Sequence, residues 1–255
     1  MSRFTNDGMW AHWAARVAEN KHQFAKSPFF VEQDSVPEER FRALAEKVAL
    51  MEPYDPDGMT RDAEFGARVV DTCLGPVTRM WLESMVEIDF LYRNLPELEL
   101  PTMKVLDIGA GYGRLAAALD KNAYDVRCVD AVPISTEISR GYLKRFAPSV
   151  HVFSIEEFED IYTDLTFDLC VNIHSFNECK LSQIENWLKA LEVMQVPYLF
   201  TVSHGQMDHN PEPSYRSYGD DHPSFRPLLE ARYELIAEES LGLSPSPHAL
   251  WLRRK

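Results

Sequence analysis

Apolar positions change their spacing near residue 100. Before it they recur every three or four residues; after it they alternate between short continuous runs and helical stripes. From Gly8 to about Lys26, Trp10, Trp13 and Val17 fall at helical spacing among polar residues, which predicts an amphipathic helix. Its tryptophans either anchor it to the body or line a substrate mouth. Asp34 or Ser35 can cap a second helix with Pro37 in its first turn and Phe41, Leu44, Val48 and Met51 on one face. Glu52–Thr60 carries two prolines and a glycine and predicts a loop, with Asp55 and Asp57 as solvated turn residues or substrate contacts. Helices are then expected from Arg61 to about Cys73 and from Pro76 to about Tyr92, separated by Gly75–Pro76. Pro96–Pro101 reads as a linker, so residues 1–100 form a helical cap on the substrate side and 101–255 a second domain.

In the second part, Val105, Leu106 and Ile108 mark a strand that runs into Gly109, Gly111 and Gly113 and then a helix through Leu115, Ala116 and Leu119. Strands at Tyr124–Val129, Val150–Phe153, Phe167–Ile173 and Tyr198–Val202 alternate with helices at Ile134–Phe146, Ile155–Tyr162 and Leu181–Met194. Such a rhythm requires long right-handed crossovers, hence an α/β fold with a doubly wound, mostly parallel sheet. Ligands of these folds bind at the C-terminal ends of the strands. The tail departs from the rhythm: His204–His222 is a long polar loop, followed by a helix near Pro223–Glu230 and strands near Tyr233–Glu238 and His248–Leu252 joined around Ser244–Pro247. That pair predicts an antiparallel edge.

Charge narrows the partners. The net charge is −14, and no basic block is longer than Arg253–Arg254–Lys255, which argues against nucleic acid and leaves a small-molecule acceptor. Cys73, Cys128, Cys170 and Cys179 are far apart without a CxxC pair, so free thiols and a reducing cytoplasm are expected. No apolar run reaches the roughly 20 residues of a membrane span, and a cytoplasmic protein, with a homodimer left open, is the expectation.

The glycine corner alone suits several nucleotide-like ligands. Here the glycines lack the third GxGxxG position, and no Lys-Ser/Thr pair follows, so a pyrophosphate is disfavoured. Asp107 precedes the glycines, and Asp130 ends the next strand 23 residues later, where a carboxylate can accept both hydroxyls of a ribose. Two carboxylates without phosphate-binding features suit a cation, and S-adenosylmethionine combines a sulfonium, an ammonium and a ribose diol.

VLDIGAGYGRLA, the VD of the next strand and FDLCVNIHSF together resemble the class I S-adenosylmethionine-dependent methyltransferases from about Met103 to the C-terminus. That resemblance implies a Rossmann-like seven-stranded sheet with an antiparallel last strand. It also implies cofactor contacts at Asp107, Gly109, Ala110, Gly111, Asp130, Ala131, Ile155, Glu156 and Asn172. GAGYGRLA with VNIHSFNEC is similar to a sugar O-methyltransferase family at Gly111, Tyr112, Gly113, Asn172, Ser175, Phe176 and Glu178, although Cys179 replaces a methionine and Pro133 stands one residue late. In plant-type O-methyltransferases a histidine after the fourth strand is the general base, and His174 holds that place. His204 competes with it; Glu178 orients the imidazole, binds a sugar hydroxyl or caps a helix. Tyr112 and Arg114, with Trp10 and Trp13, are candidate substrate contacts, Arg114 having a solvent-facing alternative. His204, Asp208, His209, Asp220, Asp221 and His222 lack the spacing that fixes metal ligands, so no metal is assigned. The sequence therefore predicts O-methylation of a small hydroxylated acceptor such as a sugar. Alternatives are an NAD-dependent oxidoreductase, opposed by the missing third glycine, and an inactive methyltransferase-like partner subunit.

Overall fold

The structure, a computed structural model, describes residues 4, 14, 15, 18, 24, 36–51, 55–95, 103–122, 124–204, 215–217, 223–243 and 246–254. The helix expected over Gly8–Lys26 falls almost wholly outside the described residues, and Pro96–Pro101 lies outside them.

Seven strands build the sheet: β3 (Lys104–Ile108), β4 (Asp125–Val129), β5 (His151–Phe153), β6 (Leu169–Ile173), β7 (Tyr198–Val202), β8 (Tyr233–Leu241) and β9 (Ser246–Arg253). They lie in the order β5-β4-β3-β6-β7-β9-β8, parallel from β5 to β7 and antiparallel at β9 and β8. Order reverses between β3 and β6, so the crossovers leave opposite faces there and a crevice opens at the strand tips. The helices α3 (Arg114–Lys121), α4 (Pro133–Phe146), α5 (Ile155–Ile161) and α7 (Leu181–Val193) provide the crossovers, with one-turn α6 (Ser175–Glu178) after β6 and α8 (Arg226–Glu230) before β8.

Each strand alternates its side chains between two cores. Val105, Val171, Phe200 and Leu250 face one cluster with α3 and α4; Leu106, Cys170, Leu199 and Trp251 face the other with α5 and α7. The apolar periodicity of the second part is therefore realised element by element.

The N-terminal part holds the main differences from expectation. α1 (Glu38–Val48) forms as predicted and buries Phe41, Leu44, Ala45 and Val48. The helix expected over Arg61–Cys73 does not form. A 3-10 turn over Arg61–Phe65 ends at Gly66 with φ of 93°, and an antiparallel hairpin follows, β1 (Val69–Thr72) with β2 (Gly75–Thr78). Val69, Val70, Thr72, Val77 and Thr78 are β-branched, and the Thr72 hydroxyl bridges the turn by donating to the Gly75 carbonyl and accepting from the Leu74 N–H. Asp55 is a second correction: it is buried, not solvated. Its carboxylate accepts from the Gly58 N–H at 3.1 Å and pairs with Arg61 at 2.7 Å.

α2 (Arg79–Asn94) starts later than predicted, at the Thr78 cap, whose hydroxyl accepts from the Trp81 N–H. It packs on the face that carries α3, with the Phe90 ring stacked on Phe200 of β7 at 5.4 Å and Phe90 itself fully buried. Phe90→Ala should therefore cost about 3–5 kcal/mol of unfolding free energy by denaturant titration. A loss below about 1 kcal/mol would show that α2 is not part of this core.

Candidate functional site

The chain leaves β3 through a turn that ordinary side chains resist. Gly109, Gly111 and Gly113 have φ of 75°, 58° and 92°, in the left-handed region. Two of them also leave no room for a Cβ. At Gly109 it would run into the Ser175 side chain, and at Gly113 it would lie 2.7 Å from Leu143 of α4. The Gly109 N–H donates to the Val129 carbonyl at 2.9 Å, tying the turn to the tip of β4, and part-buried Ala110 completes the bend.

Asp130 stands at that tip and locks the corner from the other side. One carboxylate oxygen accepts from the Gly111 N–H at 2.9 Å and the other from the Val132 N–H at 2.8 Å. Burial pushes its pKa up to about 6, against the pull of those two hydrogen bonds. Each oxygen keeps a second lone-pair site for a further donor. Beside it opens a cleft of about 300 Å³, lined by Asp130, Ala131, Pro133, Thr136, Glu137, Arg140, Ser154, Ile155 and Glu156. Three predicted contacts, Ala131, Ile155 and Glu156, thus share one cleft with Asp130. The Ser154 capping box, closed with Glu157, fixes the start of α5 there.

Asp107, the penultimate residue of β3, is buried on the sheet face that carries α2 and α3. Burial, then the carboxylates of Glu87 and Asp130, push its pKa up to about 7 while Arg114 pulls it down. Arg114 does not face solvent. It forms a two-pronged ion pair with Glu87 of α2, at 2.7 and 2.6 Å, and donates to the Ser84 hydroxyl at 2.9 Å. Tyr112 is also corrected: at 2% exposure it belongs to the core. Its ring meets Phe24 and Tyr142 at 4.9 and 5.2 Å, and the Tyr142 hydroxyl donates to the buried Asp62 at 2.8 Å.

At the tip of β6, Asn172 uses its whole amide on the backbone and Ser175. It donates to the Ile108 carbonyl at 3.0 Å and to the Ser175 hydroxyl at 2.5 Å, and accepts from the Phe176 N–H at 3.0 Å. Its place in the site is to hold β6, the corner and α6 together. His174 follows in a left-handed conformation, φ 63°, uncommon for a side-chain-bearing residue. Its N–H donates to the Val202 carbonyl at 2.7 Å, and its Nδ1 is buried without a hydrogen-bond partner. The His174 ring lies parallel to that of His204, with centroids 4.5 Å apart and planes 11° apart.

Burial, then His204, hold the His174 pKa well below 6.5, and burial takes His204 down to about 4, so both rings are neutral at pH 7. Glu178 closes α6, part-buried. Trp10, Trp13, Asp208, His209, Asp220, Asp221 and His222 lie outside the described residues. Among the described residues no three His, Cys, Asp or Glu group as a metal site, and no helix is long and apolar enough to cross a membrane.

Sequence reasoning missed Ser84 and Glu87. Their signal was present: with Met80 and Leu91 they occupy one helical stripe, so a carboxylate sits where the period demands an apolar residue. It also missed His248, whose buried Nε2 has no hydrogen-bond partner, while Ser175, a position of the VNIHSFNEC motif, fills the space over Gly109.

Residues 106–195, which contain the corner, Asp130 and the β6 tip, match the family model described as a methyltransferase domain. The match covers about a third of the chain, and over it the chain is similar to that domain. Solved structures share the fold at low identity. The glycopeptide N-methyltransferase MtfA is 12% identical, with 67% of this chain and 90% of that one covered and a TM-score of 0.51. Its sinefungin complex is 11% identical, with 68% and 87% covered and a TM-score of 0.51. The PH0226 protein from Pyrococcus horikoshii OT3 is 17% identical, with 68% and 92% covered and a TM-score of 0.49. No curated protein matches the chain.

Asp107 makes folding pH-dependent. The folded chain keeps its proton up to about pH 7 while the unfolded chain releases it near 3.8, so across that window this group lowers stability as pH rises. Asp107→Asn should flatten the stability profile between those values in chemical denaturation. A profile parallel to that of the wild type would contradict the assignment.

Proposed function

We propose that the domain transfers the methyl group of S-adenosylmethionine to a hydroxyl of a small acceptor such as a sugar, with His174 as general base. The observation that carries this reading is the neutral His174–His204 pair at the tips of β6 and β7, beside the glycine corner. The cofactor residues fit. Asp130 retains acceptor sites for the ribose hydroxyls, the cleft at Ile155 and Glu156 takes the adenine, and buried Asp107, ionised, counters the ammonium group.

Bound S-adenosylmethionine supplies a methyl group on a positive sulfur, open to in-line attack by a nucleophile. The protein has two tasks: to align the acceptor oxygen and to remove its proton. A neutral amine attacks without a base; a hydroxyl gains from one. An uncharged imidazole on the rim holds a nitrogen lone pair for that proton. The backbone N–H bond of His174 to Val202 fixes the loop at the tip of β6, and the His204 ring stacks parallel to the imidazole. Burial keeps His204 uncharged as well, so it does not repel the cationic cofactor. Glu178, at the end of α6, is placed to bind a second hydroxyl of the acceptor.

His174→Ala should lower kcat by about 100-fold or more with labelled S-adenosylmethionine and a panel of hydroxylated acceptors, while S-adenosylhomocysteine affinity stays near that of the wild type. Since the folded His174 pKa is held below 6.5, the acid limb of kcat/KM should also lie below 6.5. Undiminished turnover in the variant rejects His174 as the base. Turnover of amine acceptors alone rejects O-methylation.

A further inference from the structure

Arg114 lies one residue past the corner, and its guanidinium turns away from the crevice into α2. The Arg114 and Glu87 side chains are 12% and 2% exposed, and both prongs of their pair are short, at 2.7 and 2.6 Å. Asp107 is on the same face of the sheet, and apart from burial Arg114 and then Glu87 are the strongest influences on it. A buried guanidinium that loses its anion must find another. Glu83 is already held by Arg79 and by the Leu243 N–H, and Ser84 offers only a hydroxyl. Asp62, on which Arg114 also acts, is already bonded by the Tyr142 hydroxyl, which leaves Asp107.

We propose that Glu87 is a positioning residue of the cofactor site: by claiming the Arg114 guanidinium it leaves the Asp107 carboxyl to the ammonium group of S-adenosylmethionine. The inference rests on the reading of the corner as the cofactor site. It places part of that site's machinery on α2, outside the matched residues 106–195. Without the Glu87 charge, Arg114 swings toward Asp107, neutralises it and adds a positive charge beside a cationic ligand. The opposite charges of Arg114 and Glu87 therefore act as a unit, and removing both is milder than removing one.

Calorimetric titration of S-adenosylhomocysteine, which keeps the ammonium group, tests this on the full chain. Glu87→Gln, nearly isosteric and still able to hydrogen-bond Arg114, should bind at least about fivefold more weakly than the wild type, since one buried partner is left uncompensated. The double variant Glu87→Gln with Arg114→Gln should bind more tightly than Glu87→Gln. A purely structural role for the pair gives the reverse order. A single-variant loss smaller than fivefold, or a double variant as weak as the single one, overturns the proposal. Where Glu87→Gln does not fold, the double variant against the wild type decides: within about threefold supports the proposal, and a larger loss overturns it. A wild-type chain that does not bind S-adenosylhomocysteine refutes the cofactor reading itself, which separates the two failures.

Discussion

The turn between β3 and α3 is the constraint on which the rest depends. Within five residues the backbone passes three times through the left-handed region, and the space over Gly109 is already filled by Ser175. Such a bend is costly to hold unless its surroundings over-determine it. The supports come from two strand tips. The Val129 carbonyl and the Asp130 carboxylate hold Gly109 and Gly111 from β4, and the Asn172 amide ties the Ile108 carbonyl to Ser175 from β6. The corner is therefore assembled by the sheet, and the groups that hold it line the crevice. Asp130 does both: it fixes the turn with one lone pair of each oxygen and keeps the others for a ligand.

The charges beneath the corner follow from the same geometry. A strand that ends at a ligand site puts alternate side chains into the core, and Asp107 is one of them. A carboxyl there is pulled toward ionisation by Arg114 of α3 and pushed back by Glu87 of α2, the partner of that arginine. Tyr142 on Asp62 plays the corresponding part on the other flank, where the 3-10 turn before the hairpin meets the corner. Residues well before the glycine motif thus meet it directly.

The sequence was most legible where local pattern and tertiary environment agree. Apolar runs such as VLDI and LCVNI are buried on both faces, so strand identity and order could be read from them, and Tyr198–Val202 matches to the residue. The segment from Arg61 to Thr78 was misread because its apolar spacing mimics a helix, while its β-branched residues and Gly66 and Gly75, both at positive φ, direct a hairpin. Arg114 and Tyr112 follow a glycine turn and look exposed in a linear reading. Only the arrival of α2 and of the Asp62 turn, brought in from distant sequence, buries them. The His174–His204 stack was equally out of reach, since the two residues meet through the pairing of β6 with β7; each had been placed on the rim separately.

The central claim is that this corner, with Asp130 at its side, is built for an adenosyl cation without a pyrophosphate. Parallel calorimetric titrations of the wild-type chain with S-adenosylhomocysteine and with NAD test it most directly. The account predicts saturable one-to-one binding of S-adenosylhomocysteine, weakened by Asp130→Ala, and no comparable binding of NAD. Tighter binding of NAD, or S-adenosylhomocysteine binding that ignores Asp130, would contradict it.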